Sequence, residues 1–155
     1  MITLYVDGAC SKNGREGAHG GFGVVVVEDD NIIDAYQEFS NETTNNREEM
    51  KAILWALNKY GSLGFEVPVV YSDSAYSVNT FNNWMFSWKR NGWVKSDRKT
   101  PENLDLVKEY YNSLKKIDLR YIKGHVGHKY NEIADKLATG KMKMEDVLNE
   151  WNWNG

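Results

Sequence analysis

Four acids, Asp7, Glu49, Asp73 and Asp135, lie far apart in the chain, yet each stands where an apolar run ends or a helix is expected. Elements that return to one end of a sheet can bring such residues to a single point. In-line hydrolysis of a phosphodiester builds charge on both the attacking water and the leaving 3′ oxygen. Two divalent cations held by carboxylates stabilise both. Mg²⁺ takes oxygen ligands in octahedral geometry and keeps several waters, so four acids without a Cys cluster point to Mg²⁺ or Mn²⁺ rather than zinc. Each acid also has an ordinary structural use: Asp7 as a turn residue before Gly8, Asp73 as an N-cap, Asp135 as an early-helix acid favoured by the dipole.

The elements that must position these acids follow from periodicity. Ile2 to Asp7, Gly21 to Val27 and Ile32 to about Phe39 read as strands, with Asp29-Asp30-Asn31 as a hairpin turn and a Gly-containing loop from Gly8 to Gly20. Met50, Ile53, Leu54 and Leu57 form one stripe of a helix from Asn46 to about Tyr60. Val67 to Ser72 is a fourth strand, after which Asp73 or Ser74 caps a helix to about Phe81. A polar segment rich in Trp and Lys spans Asn82 to Thr100, and Pro101 opens a helical stretch to about Lys115. Leu119 to Ile122 is a fifth strand, Asn131 to about Thr139 a helix closed near Gly140, and Met144 to Leu148 a short helix in the tail. The order implies an α/β fold, a five-stranded mixed sheet flanked by helices, in one domain over residues 1–155.

Helix phase separates the two adjacent acids Glu48 and Glu49. At about 100° per residue, Glu49 lies about 90° from the centre of the apolar stripe, and Glu48 lies close to opposite it. Glu49 is thus expected to lean along the sheet edge, and Glu48 to point to water.

Composition bounds the function. The 155 residues carry a net charge of -3, which argues against binding polyanions with the whole surface but leaves room for a local basic patch. Such a patch exists: Lys89, Arg90, Lys95, Arg98 and Lys99 crowd one stretch beside Trp84, Trp88 and Trp93. A lone Cys10 cannot form an internal bridge, and no charged-then-apolar leader opens the chain, so a reducing, cytoplasmic compartment is expected. No apolar run approaches the roughly 20 residues of a membrane span.

Several motifs resemble type 1 ribonuclease H. Asp7-Gly8-Ala9-Cys10-Ser11-Lys12-Asn13-Gly14 is similar to the family's opening, Thr43-Thr44-Asn45-Asn46-Arg47-Glu48-Glu49 to its T-N-x-R-x-E segment, and Tyr71-Ser72-Asp73-Ser74 to its T-D-S strand end. Asn82 through Trp93 resembles the basic protrusion of cellular members. Lys123-Gly124-His125-Val126-Gly127-His128 with Asn131 through Asp135 resembles the G-H-x-G-H-x-x-N-x-x-x-D ending. Any one match is weak, whereas five in order, over roughly residues 1 to 140, are specific.

The resemblance implies the ribonuclease H-like fold, with three antiparallel strands followed by two parallel ones. It also implies an endonuclease that cuts the RNA strand of RNA/DNA hybrids and leaves 5′-phosphate and 3′-hydroxyl ends. Two Mg²⁺ ions would be held by Asp7, Glu49, Asp73 and Asp135, with Asp7 between them. His125 would assist proton transfer and product release. Gly8, Cys10, Asn13, Asn45 and Asn46 would meet the nucleic-acid backbone and 2′-hydroxyls, by which RNA is told from DNA. Thr44 would sit at a DNA-strand phosphate, and Trp84, Trp88, Lys89, Arg90 and Trp93 would grip the duplex. Ala75 stands where a Gln is common, and Val107 where an aromatic is. A monomer is expected, with residues 141–155 as an extension. Two other readings fit parts of this pattern: a catalytically silent hybrid-binding module, and a DNA-strand nuclease or transferase of the integrase-like class.

Overall fold

The computed structural model describes residues 1–13, 16–123 and 128–151, the last two as backbone. Strands β1 (Ile2–Ser11), β2 (His19–Glu28) and β3 (Asn31–Asn41) form an antiparallel meander; β4 (Val69–Ser72) lies parallel to β1, and β5 (Asp118–Tyr121) parallel to β4. The sheet order is β3-β2-β1-β4-β5. The turn between β2 and β3 places Asp29 and Asp30 at φ 51° and 64°, the left-handed pair that matches strand twist in a two-residue hairpin.

The expected loop from Gly8 to Gly20 is largely strand. β1 and β2 stay paired out to Ser11 and His19, so Asp7 lies inside a strand, opposite Gly23, rather than at its end. Periodicity misses this extension because Gly8, Ala9, Cys10, Gly20 and Gly21 carry little apolar surface to alternate.

Helices cover both faces of the sheet. Helix α1 (Asn45–Tyr60) packs on β1 and β2, joined by α2 (Ala75–Asn79), α3 (Met85–Arg90) and α4 (Leu104–Asn112), around a core that includes Leu4, Val6, Val24, Val26, Met50, Ile53, Leu57 and Phe81. On the opposite face α5 (Lys129–Thr139) and α6 (Met144–Trp151) enclose Val25, Val27, Ile133, Leu137 and Val147. β2 is buried on both faces, so its valines alternate between the two cores. Each contributes on the order of 1.5–3 kcal/mol by burial.

Local chemistry sets the helix ends. Thr44 caps α1, its Oγ1 accepting from Arg47 N at 3.1 Å, and Ser74, not Asp73, caps α2 by accepting from Ser77 N. The helix expected to stop near Phe81 instead continues to Arg90 through one widened turn, Thr80–Trp84, where Thr80 Oγ1 donates to the Tyr76 carbonyl. Helix α4 is shorter than expected, bounded by Asn103 at φ 57° and extended Ser113. Gly140, at φ 79°, ends α5.

Glu48 does not point to water. It is fully buried, its Oε2 accepting from Thr43 Oγ1 at 2.9 Å and forming an ion pair with Lys51 Nζ at 3.2 Å. Helix phase failed here because the extended end of the meander reaches the first turn of α1. The Cγ of Glu48 packs at Gly20 of β2, covering the side assigned to solvent. Among the described residues, no helix is long and apolar enough to cross a membrane.

Candidate metal centre and nucleic-acid face

Two registers bring the acids together. The parallel pairing of β1 with β4 ends at Val6↔Ser72, which sets Asp7 and Asp73 side by side on neighbouring strands. Gly8 follows Asp7, and a Cβ there would collide with the Glu49 backbone, so its absence lets the first turn of α1 descend onto β1. Gly23, opposite Asp7, plays the same part on the other face: a Cβ would meet the Ala134 carbonyl and Leu137 of α5. The two close approaches carry Glu49 in from one side and Asp135 from the other.

Ligand oxygens of Asp7, Glu49 and Asp73 all lie within 4.8 Å of one another. Asp135 joins them in lining a cleft of about 360 Å³, together with Gly8, Ala9, Cys10, Asn45, Asn46 and Ser74. Asp7 and Glu49 are only 4 % and 8 % exposed. Burial, with repulsion from Glu49 and then Asp73 and Asp135, holds the Asp7 carboxyl far above the usual carboxylate range. Burial also raises Glu49, with Asp73 and Asp135 adding to it and hydrogen bonds from Asp7 and Gly8 partly offsetting it. Among the described residues no cation contributes to these shifts, and Glu49 Oε2 is buried without a hydrogen-bond partner.

A buried oxygen-only donor set carrying excess negative charge fits a hard divalent cation. Asp7, Glu49 and Asp73 could hold such an ion directly, with Asp135 at the margin. The carboxylate of Asp73 is left available because Ser74 has taken the capping role.

Around the cleft, Asn13 Oδ1 accepts from Asn45 N at 2.8 Å, tying the end of β1 to the start of α1. Cys10 and Asn46 line the cleft nearby, and Thr44 caps the helix at its rim. Trp84 is 41 % exposed, whereas Trp88 is buried at 8 % and belongs to the core, its ring 6.4 Å from that of Trp84. The side chain of Trp88 is therefore spent on packing. Trp93 packs edge-on against Tyr111 with Lys108 Nζ over its ring. Lys89 and Arg90 end α3 on the surface. His125 lies outside the described residues. Sequence reasoning also passed over Arg47, whose bidentate pair with Asp105 ties the start of α1 to the start of α4 beyond the basic segment. Its signal was present in the Thr43–Glu49 motif.

Sheet order 3-2-1-4-5, with acids converging where β1 and β4 part, defines an α/β protein of the ribonuclease H-like class. The ribonuclease H family model matches residues 1–143. The chain is 39 % identical over 145 residues to a ribonuclease H of Acetivibrio thermocellus, covering 92 % of this chain and 95 % of that one. Among solved structures, LC9-RNase H1, described as a type 1 RNase H with the type 2 active-site motif, superposes with a TM-score of 0.74 at 31 % identity, over 90 % of this chain and 70 % of that one. LC11-RNase H1, solved in complex with RNA/DNA hybrid, superposes with a TM-score of 0.63 over 96 % of this chain and 99 % of that one; at 21 % identity it speaks for the fold alone. The chain belongs to the ribonuclease H family, and with it to the endoribonucleases.

Proposed function

We propose that this chain hydrolyses the RNA strand of RNA/DNA hybrids with two bound Mg²⁺ ions, leaving 5′-phosphate and 3′-hydroxyl ends. The observation that carries the reading is the convergence of Asp7, Glu49 and Asp73 within 4.8 Å, two of them buried and, among the described residues, without a cationic side chain to balance them. When bound, the metals supply charge stabilisation to the attacking and leaving oxygens. Asp7, Glu49, Asp73 and Asp135 would hold the two ions, with Asp7 assigned to both on the family motif; Mn²⁺ is the expected substitute.

The chain's own residues orient the substrate. Asn45 and Asn46 open α1 at the cleft, and Cys10 and Gly8 bring main chain close to it, a surface of short polar groups suited to 2′-hydroxyls in a wide minor groove. Asn13 braces Asn45 from the end of β1. Thr44 at the helix N-terminus suits a DNA-strand phosphate. Trp84, Lys89 and Arg90 form the exposed part of the grip, the half-buried Trp93 completes it, and their phosphate contacts are independent of sequence and weakened by salt. His125 is assigned proton transfer and product release on the family motif. Membership of the ribonuclease H family supports the choice of substrate.

The test is strand scission of end-labelled hybrid, duplex RNA and duplex DNA with Mg²⁺ and with EDTA. Cutting of the RNA strand of hybrid alone, dependent on metal, is expected. Binding without cutting, or cutting of duplex DNA at the hybrid rate, would overturn the reading.

A further inference from the structure

Glu48 is a fully buried acid that the chemistry above does not use. Its partner Lys51, one helical turn on, is itself bound to β3, donating to Ser40 Oγ at 2.6 Å and lying 3.8 Å from Glu38 Oε2. The other Glu48 oxygen, Oε1, is buried without a hydrogen-bond partner among the described residues. As a core element this arrangement is poor, because an unsatisfied buried oxygen is costly and an apolar pair of the same volume usually serves as well. What the carboxylate gains is a hold on Thr43.

Thr43 is the residue on which the turn into α1 rests. Its Oγ1 donates to Glu48 at 2.9 Å, its carbonyl accepts from Cys10 Sγ at 3.4 Å, and its methyl packs over Gly20. Thr44, Asn45 and Asn46 follow directly. We propose that Glu48, held by Lys51, is a positioning residue that clamps Thr43 from beneath and so fixes the Thr44–Asn46 turn and Cys10 in the geometry that meets the hybrid. The inference rests on the proposed function for the identity of what that turn contacts. The clamp acts on substrate binding: Asp7 and Asp73 are attached to other elements, and the adjoining Glu49 is seated by the close approach of its own backbone to Gly8 rather than by Thr43.

Two variants separate the clamp from simple stability. T43V removes only the hydroxyl, and E48M/K51M replaces the buried pair by apolar side chains. Both are expected to raise KM for hybrid, and Kd for hybrid measured in EDTA, by roughly tenfold, the size of one lost buried hydrogen bond to a charged acceptor. At saturating hybrid, kcat and the Mg²⁺ activation midpoint should stay within about twofold of the parent. E48Q, which still offers Thr43 an amide oxygen, should restore most of the affinity. E48M/K51M that folds and binds hybrid like the parent would overturn the clamp; should that variant melt below the assay temperature, unchanged KM and Kd in T43V would do the same. A parent protein that binds but never cuts would instead overturn the proposed function, with the EDTA affinities still deciding the clamp.

Discussion

Replacing Asp7 by Asn should stabilise the metal-free protein while abolishing cleavage. Three ionised carboxylates with oxygens within 4.8 Å repel one another by about 3.5 kcal/mol per pair at an effective dielectric near 20. The alternative, keeping one carboxyl protonated at pH 7 against an ordinary value near 4, costs about 4 kcal/mol. Asp7 takes part in two of the three pairs, about 7 kcal/mol together, so protonating one carboxyl is the cheaper route and about 4 kcal/mol is the ceiling; relaxation with water entry lowers it, leaving about 2 kcal/mol as the expected gain from removing the central charge. For a chain of this length that is a rise in Tm of about 4–8 °C. The pH dependence follows from the raised values of Asp7 and Glu49. Between the unfolded value near 4 and the raised folded values, the folded chain holds more protons than the unfolded one, so its stability falls as pH rises. The asparagine variant should lose much of that slope. Saturating Mg²⁺ binds the native parent and should shrink or reverse the difference. Thermal melts at pH 5 and pH 8, in EDTA and in Mg²⁺, measure all four corners. Equal Tm for parent and variant in EDTA at pH 8 would refute the claim that Asp7 sits in an uncompensated acid cluster.

Asp73→Asn should cut the cleavage rate by at least about 100-fold with hybrid affinity kept, as expected for a group acting on the transition state; near-full activity would remove Asp73 from the site. Trp88→Ala should destabilise by about 3–5 kcal/mol in denaturant melts, as a core truncation does, whereas Trp84→Ala should leave stability within about 1 kcal/mol and weaken hybrid binding. Lys89→Ala with Arg90→Ala should flatten the plot of log affinity against log salt by about two phosphate contacts, read from hybrid titrations at several ionic strengths.

The order of strands and helices was legible in sequence, as were the acids that the structure brings together, Asp7, Glu49 and Asp73 with Asp135 in the same cleft; helix phase pointed to Glu49, though its companion expectation for Glu48 failed. Those readings depend on local periods and on residue types, which a linear chain carries in full. The capping of α1 by Thr44 and of α2 by Ser74 was half legible, since Thr, Ser, Asn and Asp are all good caps and the choice among neighbours turns on where the backbone first enters the helix. Trp84 and Trp88 share a spacing of four, and nothing in that spacing says which ring meets solvent; only the seating of α3 against α4 and the core made Trp88 the buried one.

Sequence by itself determined which groups could do chemistry here and which elements carry them. Tertiary structure decided what those groups touch. Glu48 lies opposite the apolar stripe of α1, and a helix with one buried face would have left it in water. The meander runs on past Asp7 through residues with almost no side-chain signal, and its end closes over the first turn of that helix. Helix phase gives direction about one axis, and burial depends on what other segments place in that direction, which no local pattern contains.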